Sequence, residues 1–306
     1  MLTCDNYSLP TSLTEALNIW SRSPKGSLIV SGATDILPAA REGRKGDLHV
    51  PELVDVTRIE ELNGYKVDGK RIRLGANVVY QDFLTDQTLM ECLPCMPYCA
   101  VWFADDQIRQ QASLTGNIIN ASPAADGTPA AIASNGSIEL ARLGENGISR
   151  REVKVIDFIE GPGKTQLADD EVATAMILDV TDSYGGSFQK VGQRRSLVIS
   201  VACCAALVKL NSDESKFKDV RIAVGGVGPR PTRLFEIENA LIGQPLSSKI
   251  IWKASEEAAQ TVASRSRVEY RKEVVVNFVK AALEEAVINT STKFFSSESN
   301  RGIASV

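Results

Sequence analysis

The amino-acid sequence predicts an α+β protein with two domains, and three observations lead to this prediction. The chain has 306 residues, a length that suits two domains of about 100–200 residues each. In its last third, runs of strand-like residues precede runs of helix-like residues, the order typical of α+β domains. A break in composition at residues 181–186 separates the two parts. We therefore predict domains at 1–182 and 183–290, followed by a flexible tail at 291–306.

Short strands and helices alternate in the first part of the chain. A capping box at residues 12–15 begins a helix, in which Leu13, Ala16, Leu17 and Trp20 recur at helical spacing. A second helix is predicted through the nineties. Hydrophobic runs bounded by turn residues predict strands at 27–30, 53–56, 71–74, 138–143, 152–155 and 171–178, with a hairpin turn at 145–147.

The second part begins with three strands and ends with helices. The predicted strands span 187–191, 199–210 and 220–225, and the predicted helices span 233–241, 249–263 and 270–286.

Composition excludes several classes of partner. There are 34 basic and 38 acidic residues, for a formal net charge of −4, so no strongly basic surface is available for nucleic acid. No secretory signal and no apolar run of about 18 residues is visible. The sequence predicts a cytoplasmic protein that contacts neither a membrane nor nucleic acid.

Histidine and cysteine limit the chemistry further. His49 is the only histidine, which excludes zinc sites built on several histidines, and we expect it at the surface in a structural role. Cys92, Cys95 and Cys99 have a spacing that fits an iron–sulfur site, but the same spacing is one face of a helix. We favour the packed helix face and predict no metal on this chain.

Two loops are candidates to hold a phosphate group. Residues 29–36 run from a strand into a turn of small and hydroxyl-bearing residues, whose successive amides can bind phosphate oxygens. The strict G-x-G-x-x-G pattern is absent, so for this loop taken alone an ordinary tight turn is the favoured interpretation. Residues 113–126 mix Ser, Thr, Asn and Gly with apolar Ile118 and Ile119, which suits a loop packed against a ligand. A structured turn explains this loop as well.

Both loops belong to a set of six segments that occur in a fixed order along the chain. The segments are SGATDILP, RIRLGA, QIRQQASLTGNIINASPAAD, FIEGPGKTQLADDEV, FQKVGQRRSLVISVA and VRIAVGGVGPRPTR, and the late pair Tyr270-Arg271 follows them. In their order and spacing the chain resembles the FAD-binding subunit, or middle domain, of the xanthine dehydrogenase, aldehyde oxidase and carbon monoxide dehydrogenase family. The resemblance implies an FAD-binding domain of the PCMH type with lobes at about 1–60 and 61–182. A small C-terminal domain with a three-stranded antiparallel sheet and helices is expected to follow.

The resemblance also implies which residues contact FAD. The pyrophosphate is expected against both loops, with contacts from Ile29, Val30, Ser31, Gly32, Ala33, Thr34, Asp35, Ile36, Ser113, Thr115, Gly116 and Asn117.

Four further positions match the family's flavin site. Phe103 matches an aromatic residue near the flavin, and Ala173 matches an aliphatic packing position. The carboxylate of Asp126 is expected to accept a hydrogen bond from a hydroxyl group. Lys190 matches a lysine that reaches the flavin, where its charge would stabilise the reduced anionic form.

Two family glycines are replaced in the loops. The family has Gly-Gly where this chain has Gly32-Ala33, and two glycines where it has Thr115-Gly116. Ala33 is a mild change at negative φ, whereas the β-branched Thr115 would be strained at positive φ.

The resemblance implies an electron-transfer subunit with no catalytic residue of its own. A large partner subunit would hold a molybdenum cofactor and hydroxylate the substrate, for which a purine or another N-heterocycle is expected. A small partner would carry 2Fe–2S clusters, and FAD on this chain would pass electrons to NAD or another acceptor. A dimer of heterotrimers is the expected assembly.

Two alternatives remain open at this point. One is a stand-alone flavoprotein oxidoreductase of the same superfamily, which a single histidine makes harder because such an enzyme needs its own base. The other is a scaffold subunit that has lost FAD, which the residues Ala33 and Thr115 would favour.

Overall fold

The computed structural model describes residues 1–41, 47–194, 197–264 and 266–291. These residues form a three-stranded, a five-stranded and a four-stranded sheet, together with a two-stranded one, and helices pack between and around them. The predicted α+β class is confirmed.

A parallel sheet forms the first lobe. Its elements are β1 (Leu2–Ser8), α1 (Leu13–Trp20), β2 (Leu28–Val30), α2 (Ile36–Arg41) and β3 (Leu48–Asp55). The central strand β3 pairs in parallel with both β1 and β2. The first candidate loop leaves the carboxyl end of β2 and enters α2. Ligands commonly bind at this edge of an open parallel sheet.

The sequence placed the start of α1 correctly. Ser12 Oγ accepts a hydrogen bond from the Glu15 amide at 3.2 Å. The Glu15 carboxylate accepts a hydrogen bond from the amide of Thr11 at 2.8 Å. In a standard capping box it would accept from the amide of the N-cap residue, Ser12. One amide of the first turn, that of Glu15, and the amide of Thr11 just before the helix are thereby satisfied. The single histidine, His49, lies in β3 and is exposed, with Nδ1 2.9 Å from Thr3 Oγ1.

An antiparallel five-stranded sheet and a set of short helices form the second lobe. The strands lie in the order β4-β5-β10-β6-β7, and every neighbouring pair is antiparallel. The elements are β4 (Tyr65–Asp68), β5 (Arg71–Gly75), α3 (Asp82–Thr85), α4 (Gln87–Cys92), α5 (Met96–Trp102), α6 (Asp106–Arg109), α7 (Leu114–Ile119), α8 (Gly127–Ala133), β6 (Ser137–Gly144), β7 (Gly147–Lys154), α9 (Val155–Phe158), β8 (Ile159–Gly161), β9 (Lys164–Thr165) and β10 (Val172–Asp179).

The single helix expected through the nineties is in fact two helices. Cys92 ends α4, Cys95 precedes α5, and Cys99 lies inside α5. Pro94 lies between the helices, where its missing amide and fixed φ interrupt helical hydrogen bonding. All three cysteines are buried in one hydrophobic cluster. Burial raises the pKa of the Cys95 thiol to about 12, so it packs as a neutral group.

The C-terminal part has one more strand than expected. The three long antiparallel strands are present, and a two-residue strand joins the edge of the third. The elements are β11 (Gly185–Val191), β12 (Ala202–Leu210), β13 (Phe217–Gly225), β14 (Thr232–Arg233), α10 (Phe235–Leu241), α11 (Ser248–Glu256), a 3-10 helix (Glu257–Thr261) and α12 (Val268–Ser291).

Strand β12 connects the two parts of the molecule because both of its faces are buried. Cys203, Ala205 and Leu207 belong to the core of the second lobe. Side chains alternate between the two faces of a strand, so Cys204 and Ala206 enter a separate core beneath α12. A strand buried on both sides has the continuous apolar sequence seen at 201–208.

The division at residues 182 and 183 stays a prediction. It falls in the turn between β10 and β11, and the division of the lobes near residue 60 falls in a 3-10 helix, Glu60–Leu62. Of the predicted tail 291–306, only Ser291 lies within the described residues, as the last residue of α12.

Candidate functional site

A cavity of about 650 Å³ lies between the loop after β2 and the start of α7. This volume is within the usual range for small-molecule and cofactor sites. Every predicted contact residue of both loops lines it, and so do Phe103 and Ala173. The structure therefore brings together all the predicted site residues except Asp126 and Lys190.

The two loops touch each other directly. Gly32 packs against the main chain just before the second loop, where a Cβ would overlap the Gln111 carbonyl. Asn120 Nδ2 donates a hydrogen bond to Asp35 Oδ1 at 3.0 Å. Two turns far apart in sequence thus form one continuous wall of the cavity.

The first loop presents unused main-chain donors. Within the described ranges, the amides of Gly32, Ala33, Thr34 and Asp35 donate no hydrogen bond to the protein. Successive free amides of this kind form a concave site for anions.

Ala33 has a backbone conformation that the sequence did not lead us to expect. Its φ is 54°, in the left-handed region that favours glycine. The expectation of a mild change at negative φ is therefore wrong. The methyl group at this position costs about 1–2 kcal/mol relative to an unstrained residue.

The second loop begins a short helix and carries no such strain. Ser113 precedes α7, and its Oγ accepts from the amide of Gly116 at 3.1 Å. Thr115 is buried in the first turn, and it is not among the described residues with positive φ. The condition for strain at Thr115, a positive φ, is therefore not met, because a helical φ is accessible to a β-branched side chain. Its amide has no acceptor within the helix, as expected for a first-turn residue.

Two more residues of the cavity wall hold unpaired polar atoms, and sequence reasoning missed both. Trp20 Nε1 and Asn77 Oδ1 are buried without a hydrogen-bond partner among the described residues. Trp20 had been assigned only to the apolar face of α1, and no sequence motif marked Asn77. Buried polar atoms are normally paired, so unpaired ones at a cavity favour a polar ligand.

The charges around the cavity indicate how an anion would bind. The described lining residues include Asp35, Asp169 and Glu171 but neither lysine nor arginine. Glu171 is paired with Arg151, whose Nε lies 2.5 Å from Glu171 Oε1. Main-chain amides and neutral side chains, and not cationic side chains, are therefore the donors available to a diphosphate. The residues present fit the pyrophosphate of a dinucleotide.

Asp126 and Lys190 lie outside the cavity lining and bind each other. Lys190 Nζ is 2.6 Å from Asp126 Oδ2, and both side chains are almost completely buried. Asp126 does accept a hydroxyl hydrogen bond, but the hydroxyl is that of Ser200, at 2.6 Å. Lys190 also donates to the carbonyl of Trp102 at 3.1 Å. Burial raises the pKa of Asp126, while Lys190 and Ser200 act in the opposite direction.

Comparison with known proteins assigns the chain to a family. Residues 3–178 match the FAD binding domain in molybdopterin dehydrogenase, and residues 187–286 match the CO dehydrogenase flavoprotein C-terminal domain. The chain is 30% identical over 237 residues to the glyceraldehyde dehydrogenase medium chain of Sulfolobus acidocaldarius, covering 76% of this chain and 82% of the relative. It is 28% identical over 290 residues to the xanthine dehydrogenase FAD-binding subunit of Escherichia coli O157:H7, covering 92% and 96%.

A solved structure agrees with this fold. Carbon monoxide dehydrogenase from Hydrogenophaga pseudoflava superposes with a TM-score of 0.82 at 24% identity, covering 92% of this chain and 96% of that chain. Fold and sequence together define an FAD-dependent oxidoreductase subunit of the xanthine dehydrogenase type. The chain belongs to the family of FAD-binding medium subunits of molybdenum hydroxylases, and the resemblance stated above is confirmed. In the described part of the chain, no helix combines the length and apolar character needed to cross a bilayer.

Proposed function

We propose that the cavity binds FAD, with the pyrophosphate against the amides of both loops. The observation that carries the proposal is the direct contact between the loops, through Gly32 against Gln111 and through the Asn120–Asp35 hydrogen bond. Loops in contact present their unused amides, those of 32–35 and of Thr115, to one space. A diphosphate in that space would accept hydrogen bonds from both.

The other lining residues suit the rest of the cofactor. Phe103 and Ala173 supply apolar surface that excludes water, and Trp20 Nε1 and Asn77 Oδ1 offer one donor and one acceptor. A flavin contact by Asp126 or Lys190 stays a prediction, because these side chains are bonded to each other outside the cavity lining.

We further propose that the chain transfers electrons within a larger complex. Bound FAD would supply the redox chemistry, taking electrons from 2Fe–2S clusters of a small partner subunit and delivering them to NAD or another acceptor. A large partner subunit would hold the molybdenum cofactor, and the complex would be a dimer of heterotrimers. The names of two relatives, each a medium chain or FAD-binding subunit of a dehydrogenase, support a multi-subunit enzyme.

The substrate is proposed to be a purine or another N-heterocycle. Relatives named for caffeine and nicotine, at 26% and 29% identity, support this class. The glyceraldehyde and carbon monoxide dehydrogenase relatives are similar to the chain as well. Substrate choice therefore belongs to the partner that holds molybdenum. The cytoplasmic location is a prediction of the sequence.

The test is the visible spectrum of the full chain and of the complex purified through it. The chain alone should bind added FAD and show flavin bands, and the isolated complex should add iron–sulfur absorption. A colourless chain that ignores FAD would contradict the proposal and favour the scaffold alternative. Substrate turnover by the chain alone would favour the stand-alone oxidoreductase. Oxidation of the substrate-reduced complex by NAD would identify the acceptor.

A further inference from the structure

Tyr80 is a buried residue that connects two walls of the cavity. It follows β5, is fully buried, and does not itself line the cavity. Its ring is stacked on that of Phe103, with centroids 3.8 Å apart and planes inclined by 8°. Its hydroxyl lies 2.9 Å from Asn117 Oδ1. Phe103 and Asn117 both line the cavity, so one side chain contacts the aromatic wall and the second phosphate loop.

The hydroxyl of Tyr80 fixes the orientation of the Asn117 amide. Burial raises the pKa of Tyr80 well above its usual value, so the hydroxyl stays protonated and acts as a donor. Because the Tyr80 hydroxyl is a donor, the oxygen of the Asn117 side-chain amide faces it, and the NH₂ group points away from Tyr80. Within the described ranges that NH₂ group has no acceptor in the protein, which leaves two donors for a ligand.

The surroundings of Tyr80 hold it in this one position. Its amide donates to the Ala112 carbonyl at 3.0 Å, immediately before the second loop. Gly127 leaves the space that the hydroxyl occupies, since a Cβ there would overlap it. The main chain of Phe103 is fixed separately, because its carbonyl accepts from Arg109 at 2.9 Å. The Phe103 ring has the Tyr80 ring as its stacking partner.

We propose that Tyr80 is a positioning residue of the flavin site. It sets the Phe103 ring and the Asn117 amide, and it acts on the cofactor through these two residues. The inference rests on the proposed function, because it requires that the cavity bind FAD.

Two substitutions in the full chain separate the two contacts of Tyr80. Tyr80→Phe keeps the ring and removes only the donor, whereas Tyr80→Leu removes the donor and the stacking partner. The dissociation constants for FAD and for ADP are measured with each variant, since ADP has the diphosphate but lacks the flavin ring. Tyr184→Phe is the matched control: that half-buried tyrosine donates to Asp219, away from the cavity.

The expected pattern differs between the variants. Tyr80→Phe should weaken FAD and ADP by a similar factor, about fivefold to tenfold, as expected for one lost hydrogen bond. Tyr80→Leu should weaken FAD further than ADP, and should change the visible circular dichroism of the bound flavin, because the Phe103 ring is released. Tyr184→Phe should leave both constants unchanged.

Unchanged binding of FAD and ADP by Tyr80→Phe would overturn the role of the hydroxyl. Equal weakening of both ligands by Tyr80→Leu would overturn the role of the ring. If Tyr80→Leu does not fold, Tyr80→Phe still decides the role of the hydroxyl, and a Phe103→Leu variant, which removes the other ring of the stack, decides the role of the ring by the same comparison of FAD with ADP. Wild-type chain that binds neither ligand would instead refute the proposed function, and this inference would fall with it.

Discussion

The loops around the cavity and the Asp126–Lys190 pair both belong to the predicted site, yet their polar groups are used differently. The loop amides at 32–35 have no acceptor among the described residues. The two charged side chains, by contrast, bind each other, Ser200 and the Trp102 carbonyl. Polar groups that are already paired contribute to folding, whereas unpaired ones at a cavity are available to a ligand. We therefore expect the loop amides to bind a ligand and the Asp126–Lys190 pair to stabilise the fold.

The largest expected effect comes from breaking the buried ion pair. Lys190→Met leaves the Asp126 carboxylate buried without its cation, which should lower the free energy of unfolding by about 3–5 kcal/mol. The pKa of Asp126, already raised by burial, would rise further. The loss should be small below about pH 4, where the unfolded carboxyl is also protonated, and should grow as pH rises through the folded pKa. Urea unfolding at several pH values measures it.

Two further variants sharpen this test. Lys209→Met, at a lysine of β12 with an exposed hydrogen bond to Ser183 and with Nζ 5.3 Å from the centre of the Tyr184 ring, should cost no more than about 1 kcal/mol. Adding Asp126→Asn to Lys190→Met should restore part of the loss and remove its pH dependence. Lost flavin with unchanged stability would instead place Lys190 at the cofactor, as the resemblance implied.

The next effect tests the contact between the two loops at Gly32. Gly32→Ala places a methyl group against the Gln111 carbonyl and should separate the loops, at a cost of about 2–3 kcal/mol and with loss of flavin. Gly161→Ala is the matched control, since this glycine of β8 lies outside the cavity lining and an added Cβ there would meet no atom within 4 Å. Thermal unfolding and flavin content measure both. Equal behaviour of the two variants would contradict the contact between the loops.

The smallest effect should be a gain of stability. Ala33→Gly relieves a left-handed alanine and adds backbone entropy to the unfolded chain, for a net stabilisation of up to about 1 kcal/mol. FAD should bind at least as tightly to the variant, because glycine leaves more room in the first loop than the methyl group of Ala33 does. Ala39→Gly, within α2, should destabilise by about the same amount. A destabilised Ala33→Gly would show that Ala33 is not strained.

Sequence reasoning located most of the fold because local signals are strong there. The cap at Ser12 and the turn at 145–147 each use contacts between residues close in sequence. The sequence predicted one helix in place of the two around Pro94, because the helical spacing of Cys92, Cys95 and Cys99 continues across the break. Tyr80 was missed because its run, GANVVYQDF, resembles an ordinary apolar core segment, and its partners Phe103 and Asn117 are distant in the chain.

The sequence by itself determined the class of protein, the two candidate loops and their residues, since these follow from the order of motifs and from local turn chemistry. Only the tertiary structure decided that Ala33 is left-handed while Thr115 is helical, because φ at these positions depends on how the two loops pack together. It also decided that Asp126 and Lys190 bind each other, because burial makes pairing of opposite charges far more favourable than leaving either one alone.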